Sequence, residues 1–253
     1  MTVIANKPER FSCFITGTDT GVGKTHATAT LLHALHEAGY STVGMKPIAA
    51  GGEWLDDRWQ NDDVDQLRAA GSVIVPQEEM CPFFFRTPAS PHLAAALEGV
   101  RITRKPIRDA FDSLRQQAEA VVVEGVGGFI VPLDVGAVRW NTADLAVMLD
   151  VPVILVVGIR LGCLSHAMLT AEAIRARGLK LAGWIANRID PDMLLPEENI
   201  VTLQDALDAP MLGELPWQVA PAVAAQYLDL APLLSGTPPV VSPHNDNAAP
   251  HRM

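Results

Sequence analysis

Phe14-Ile15-Thr16-Gly17-Thr18-Asp19-Thr20-Gly21-Val22-Gly23-Lys24-Thr25 decides how this chain is read. A short apolar strand runs into a Gly/Thr-rich turn, and Gly23-Lys24-Thr25 opens a helix-compatible run that continues to Ala38. That order builds a phosphate-binding loop. Backbone N–H groups of the turn and helix start point at anionic oxygens, Lys24 reaches the terminal phosphates, and the Thr25 hydroxyl can sit on Mg²⁺. The spacing departs from the usual pattern. Counting back from Gly23 across four residues lands on Thr18, and the first glycine, Gly17, lies one position further away. The triplet alone often arises by accident, so the strand before it and the helix after it carry the expectation of a nucleotide site.

Outward from the loop, apolar β-rich runs at 11–16, 42–46, 120–124, 151–157, 181–187 and 211–215 alternate with helix-compatible segments. The helical candidates are 24–38, 62–69, 91–97, 105–119, 142–149, 165–177 and 197–207. Most of the strand candidates lack in/out alternation, as suits strands covered by helices on both faces. Alternating β and α implies a mostly parallel sheet, right-handed crossovers and ligands at the carboxyl ends of the strands. The expected fold is α/β, a single P-loop NTPase-like domain over 1–235. The stretch 236–253 is poor in core formers and rich in breakers, and is expected to be a disordered, dispensable tail.

Bulk properties narrow the function. With 253 residues, 49% of them hydrophobic, the chain has ample material for a core. Its formal charge is −10 and its Lys/Arg are scattered, which argues against nucleic acid or an anionic membrane as partner. No apolar stretch approaches the roughly 20 residues of a membrane span, and no leader pattern opens the chain. Cys13, Cys81 and Cys163 are odd in number and far apart, against disulfides and structural zinc. The expected location is the cytoplasm.

Several polar residues sit at strand ends. Glu124 closes Val121-Val122-Val123-Glu124 and is followed by Gly125-Val126-Gly127-Gly128, which suits a metal contact with backbone close to phosphates. The plainer alternative is a strand-end charge that meets water. Lys46, held extended by Pro47, can aim its ammonium off the second strand toward a transferring phosphoryl group, or can simply be solvated. Asn61-Asp62-Asp63 reads equally as a capped acidic helix start or as a source of one metal-binding aspartate. Ser165, in Leu161-Gly162-Cys163-Leu164-Ser165-His166, is a good helix N-cap, and the free N–H groups there could hold a carboxylate. Cys163 and His166 lack a third group to orient them as a nucleophile pair. His26, His33 and His36 share one helix and are expected on its solvated face. Asn187-Arg188-Ile189-Asp190 is close to the Asn-Lys-x-Asp tetrad that reads guanine, yet the Asn187 amide also fits the N6/N7 edge of adenine.

These motifs together resemble the dethiobiotin synthetase family. The match runs in order from about Phe11 to Trp217, through 16–25, Gly-Met-Lys-Pro-Ile-Ala-Ala-Gly (44–51), Val-Glu-Gly-Val-Gly-Gly (123–128), Gly-Ile-Arg-Leu-Gly-Cys-Leu-Ser-His-Ala-Met-Leu-Thr (158–170), Gly-Trp-Ile-Ala-Asn (183–187) and Leu-Gly-Glu-Leu-Pro-Trp (212–217). The resemblance implies an ATP- and Mg²⁺-dependent ligase that makes dethiobiotin from 7,8-diaminopelargonic acid and CO₂, through a carbamate and a carbamic-phosphoric anhydride. It implies catalytic roles for Lys24, Lys46 and Thr20, and metal contacts from Thr25, Asp63 and Glu124, choosing Asp63 over Asp62. Nucleotide contacts fall to Gly21, Val22, Gly23, Lys24, Thr25, Asp63, Glu124, Gly125, Val126, Gly127, Asn187 and Arg188, with Leu215-Pro216-Trp217 framing the adenine. Substrate contacts fall to Ala50, Gly162, Cys163 and Ser165, the last three reaching across a homodimer interface, with Arg160 as a nearby positive charge.

Three positions depart from the family pattern. Ala50 stands where many relatives carry a substrate-binding Ser, Gly21 replaces an acid found in some, and Ser165 replaces an Asn. Two rivals share the loop. One is a switch ATPase of the partitioning and division-site class, which places a second lysine where this chain has Asp19. The other is a glutamine-dependent amidating synthetase, for which the chain is short of an amidotransferase domain.

Overall fold

Strands made of unbroken apolar runs need cover on both faces, and the computed structural model, which describes residues 10–134 and 139–234, supplies it. The first half of the chain gives β1 (Phe11–Gly17), α1 (Lys24–Glu37), β2 (Thr42–Met45), β3 (Ile48–Ala50), β4 (Glu53–Leu55), β5 (Arg58–Gln60), α2 (Asp62–Ala70) and α3 (Gln77–Met80). There follow β6 (Phe83–Phe85), α4 (Pro91–Leu97), α5 (Arg104–Gln117), β7 (Ala120–Gly128), α6 (Thr142–Leu149) and β8 (Val153–Ile159). The chain continues with α7 (Cys163–Ala176), β9 (Leu181–Arg188), α8 (Pro196–Ala206) and β10 (Met211–Leu215). Short helices α9 (Pro221–Ala224) and α10 (Ala231–Leu234) come last. The expected tail at 236–253 lies outside the described residues.

The main sheet has the order β10-β9-β8-β1-β7-β2, and every pairing in it is parallel. All seven residues of β8 are buried, so helices cover both of its faces, since successive side chains point to opposite sides. This is the single α/β domain expected, with all six main strands in place; bounds shift by at most two residues, except that β7 runs four residues past Glu124 to Gly128. The strand expected from 151 begins at Val153 because Pro152 has no N–H for the ladder.

Two small sheets were not anticipated. β3 and β6 pair in parallel, and β4 and β5 form an antiparallel hairpin turned by Asp56 and Asp57 at φ 50 and 59. Their strands are three residues long, too short for a period-2 pattern to register. One expected cap is corrected. α7 starts at Cys163, with Gly162 as its N-cap at φ 96, so Ser165 is the third helical residue and caps nothing. The chain turns into the helix through a left-handed conformation that glycine adopts without strain and serine does not.

Register places the functional ends. Met45 of β2 lies opposite Val123 of β7, so the next residues, Lys46 and Glu124, emerge side by side. Helix α2 is brought against β2 by a glycine: a Cβ on Gly44 would fall 2.9 Å from Leu67 Cβ and 3.1 Å from Leu32 Cδ1. Gly44→Val is therefore expected to push α2 outward, lowering stability by about 1–3 kcal/mol in urea unfolding and weakening the nucleotide binding expected at the phosphate loop. Wild-type unfolding and binding in this variant would contradict the packing role.

Candidate active site

The loop between β1 and α1 takes its shape from three glycines. Gly21 and Gly23 have φ 74 and 82. A Cβ on Gly23 would lie 2.0 Å from Asn187 Nδ2, so the loop is seated against the end of β9. Asn187 donates from Nδ2 to the Val22 carbonyl at 2.9 Å and fastens it there. Gly17, the displaced first glycine, has its own task. Its bare Cα lets Val22 and the Lys24 stem cross the strand end, where a Cβ would come within 2.7 Å of Val22 Cγ2.

Two cations and two carboxylates meet at the rim of this loop. Lys46 is 3% exposed, and its Nζ donates to Glu124 Oε1 at 2.5 Å and to Asp63 Oδ2 at 2.8 Å. The Thr25 hydroxyl is 2.7 Å from Asp63 Oδ1 and 2.9 Å from Glu124 Oε1. Burial works against the charged ammonium of Lys46, yet the carboxylates of Glu124 and Asp63 raise its pKa above the ordinary lysine value. Burial likewise works against ionised Asp63, but Lys46 and the Thr25 hydroxyl hold it below the usual carboxylate range. Lys24 is hydrogen-bonded to no carboxylate among the described residues, though Glu124, Asp63 and Asp19 favour its charge from further off. Burial, then repulsion from Lys46, lower its pKa to about 8, and its Nζ donates to the Asp19 carbonyl at 2.9 Å.

Glu124 is 1% exposed, and its second oxygen, Oε2, is buried without a hydrogen-bond partner. An orphaned carboxylate oxygen beside Asp63 and a threonine hydroxyl forms an all-oxygen donor set that fits a hard divalent cation. No cluster of three His, Cys, Asp or Glu occurs among the described residues, so phosphate and water oxygens would have to complete the shell. Asn61 does cap α2, accepting from Val64 N at 3.4 Å, and it also donates to the Ala50 carbonyl at 3.2 Å. Asn61 thus caps as read, Asp62 faces solvent, and Asp63 turns into the cavity beside Thr25 and Lys46.

A cavity of about 840 Å³ opens over these groups and takes in Thr20, Gly21, Gly23, Lys24, Thr25, Lys46, Ala50, Asp63, Glu124, Val126 and Gly127. Val22 and Gly125 do not line it: Val22 is buried, and a Cβ on Gly125 would meet the Phe14 ring at 2.9 Å. The cavity also includes Gln66, Val131 and the Pro88-Ala89-Ser90-Pro91 turn, which the motifs did not flag.

A second cavity of about 360 Å³ is lined by Asn187, Arg188, Ile189, Pro216, Trp217, Gln218, Val219 and Ala220. Leu215 is not part of it, being buried at the end of β10. The guanine-reading alternative finds no support in the geometry. Asp190 lies outside this cavity and accepts from Asp192 N at 3.1 Å, while Arg188 is paired with Glu197 at 2.8 Å and Glu214 at 2.5 Å. His26 lines both cavities, which corrects its placement on a solvated face, and burial holds its imidazole below the ordinary histidine range.

Gly162, Cys163 and Ser165 line neither cavity. Cys163 is 1% exposed, and its N–H is spent on the Arg160 carbonyl at 3.0 Å, so that residue offers no donor. Arg160 is paired with Asp19 at 2.7 Å, tying the start of α7 to the phosphate loop. With the Thr20 N–H, it holds the Asp19 carboxyl below the usual range.

A parallel sheet with this loop at its centre defines a P-loop nucleotide-binding protein. A family model described as an AAA domain matches residues 12–221. The solved MinC:MinD cell division protein complex of Aquifex aeolicus aligns over 92% of this chain and 99% of that chain, with TM-score 0.51 and 17% identity, a likeness of fold. ATP-dependent dethiobiotin synthetase BioD of Ralstonia nicotianae is 54% identical over 230 residues, 90% of this chain and 99% of the relative. The protein of the same name in Aromatoleum aromaticum is 57% identical over 213 residues, covering 84% and 93%. The chain belongs to the ATP-dependent dethiobiotin synthetase family. Membership decides against the division-site rival, which shares the fold.

A phosphate anion beside Lys24 would return its pKa toward the ordinary lysine value. ADP binding at pH 8.5 is therefore expected to take up a proton, read from the buffer dependence of the calorimetric enthalpy, and the Lys24 contribution should fade by pH 7, where the free protein is already protonated there. Lys24→Met should lose the uptake. Equal uptake at both pH values would contradict the assignment.

Proposed function

We propose that this chain forms dethiobiotin from 7,8-diaminopelargonic acid, CO₂ and ATP in the larger cavity, with Lys24 and Lys46 at the reacting groups. ATP-dependent dethiobiotin formation, a ligase step of biotin biosynthesis, is the activity of its family. The observation that carries the site is the hydrogen-bonded group of buried Lys46 and Glu124 with part-buried Asp63 and Thr25 at the rim of the phosphate loop.

One amine of the substrate attacks CO₂ and loses a proton, giving a carbamate. A carbamate oxygen then attacks the γ-phosphorus, and ADP leaves. The second amine attacks the carbonyl carbon of the resulting mixed anhydride, the ring closes, and inorganic phosphate departs with the attacking oxygen. Lys24 and Lys46 set positive charge where negative oxygen accumulates, and the Thr20 hydroxyl stands at the cavity edge for the carbamate or phosphate. The backbone of Gly21, Val22 and Gly23 cradles phosphate, with Gly125, Val126 and Gly127 alongside. Thr25, Asp63 and Glu124 would hold Mg²⁺, which when bound screens the phosphate charge. Adenine enters the smaller cavity, between Asn187 and Pro216-Trp217, with Arg188 at its wall.

The substrate carries its carboxylate far from its diamine, so a second anchor is required. We assign it to the start of α7 in a second copy of the chain, where Gly162 and Ser165 are exposed and a helix dipole favours an anion. Leu161 and Leu169, 90% and 62% exposed beside it, give the second copy an apolar surface to cover. Ala50 lends backbone alone. The synthetic domain is assigned to 1–235. Three buried, unpaired cysteines suit a reducing compartment, and no helix among the described residues is long and apolar enough to cross a membrane. We assign the chain to the cytoplasm.

Mass spectrometry should detect dethiobiotin from the diamine, bicarbonate and Mg·ATP. Lys46→Ala should cut kcat by about 10²–10³-fold with ATP affinity nearly kept, and Asp63→Asn should raise the Mg²⁺ requirement where Asp62→Asn does not. Near-normal turnover in Lys46→Ala would sink its assignment to the reacting centre. For the shared site, mixing Lys46→Ala chains with Gly162→Glu chains, each inactive alone, should restore activity through one intact site per mixed dimer. No recovery with subunit exchange confirmed would refute it.

A further inference from the structure

The two cavities have one wall residue in common, His26. It follows Thr25 on the first turn of α1 and is half-buried. Its backbone carbonyl accepts from the Thr30 hydroxyl at 2.8 Å, as a helical residue's can. Its ring is different: among the described residues neither imidazole nitrogen has a hydrogen-bond partner. His36, on the same helix, has its Nδ1 3.2 Å from the Tyr40 carbonyl. No hydrogen bond among the described residues therefore accounts for an imidazole at this position, and none of the roles given to the loop glycines, the lysines or Asn187 uses it.

A nucleotide with its triphosphate in the larger cavity and its base in the smaller must carry its ribose and α-phosphate past the shared wall. We propose that His26 is a positioning residue for that joint: its ring packs against the sugar and one ring N–H donates to a ribose oxygen. The site would thereby prefer a nucleoside triphosphate to bare polyphosphate. The inference rests on the proposed two-cavity placement of ATP. It adds a residue that holds neither the base nor the transferred phosphate, but fixes the distance between them.

Equilibrium binding to the full-length protein, without the diamine so that no turnover occurs, tests it with two probes: ATP and inorganic tripolyphosphate. Both carry three phosphates, and only ATP passes His26. His26→Ala is expected to weaken ATP about tenfold, the value of one hydrogen bond to the ribose with the ring's packing on the sugar, and to leave tripolyphosphate within about twofold. His26→Gln, which keeps a donor, should fall between. In turnover the loss should fall on KM for ATP more than on kcat. Equal weakening of both probes would mean that His26 only shapes the loop, and unchanged ATP binding would mean that it touches nothing; either overturns the inference. Wild-type protein that binds tripolyphosphate as tightly as ATP would overturn the two-cavity placement itself, a failure distinct from that of His26.

Discussion

Two carboxylates brought together at the edge of a buried sheet are the constraint on which the rest depends. Glu124 ends in a position almost closed to water, and Asp63 is turned toward it from another element. Removing such groups from water is costly unless charge and hydrogen bonds are returned to them. Lys46 returns the charge and donates to both, and the single Thr25 hydroxyl proton is shared between them. Each partner has its own structural cause: parallel register for Lys46, the first turn of α1 for Thr25, and the packing of α2 against Gly44 for Asp63. A one-residue slip between β2 and β7 would send Lys46 to the wrong side of the sheet.

The same arrangement separates the two lysines in character. Lys46 is held charged by its carboxylates, while Lys24, facing a backbone carbonyl and the Lys46 ammonium, sits near the edge of deprotonation. One lysine is a fixed part of the charge network. The other gains most when an anion arrives. The chain carries a net charge of −10, so in the proposed mechanism the attraction for triphosphate and carbamate is local, made by two buried ammoniums and a loop of N–H groups.

Much of this was legible in the sequence where a residue's task is local. The Gly23-Lys24-Thr25 turn, the Asn61 cap and the six long strands follow from backbone chemistry and apolar runs that need no distant partner. Asp63 could not be told from Asp62 by helix capping, since both sit in the first turn; the family pattern chose between them, and the packing of α2 turns Asp63 toward Thr25. Ser165 misled because serine is a common cap, whereas Gly162 sets the turn through its positive φ. Pro88, Gln66 and His26 were missed for a different reason. Their place in the cavities depends on how separate elements converge, which spacing along the chain does not encode.

The central claim is that this site activates a carbamate by moving the γ-phosphoryl group onto one of its oxygens. Rapid mixing of the enzyme, diamine and Mg·ATP with ¹⁸O-labelled CO₂, quenched before the label washes out into water, tests it by mass spectrometry of the products. The account predicts inorganic phosphate carrying one ¹⁸O atom and dethiobiotin carrying the other in its ureido carbonyl. Unlabelled phosphate beside labelled dethiobiotin would contradict it, because the carbamate oxygen would then never have been joined to phosphorus.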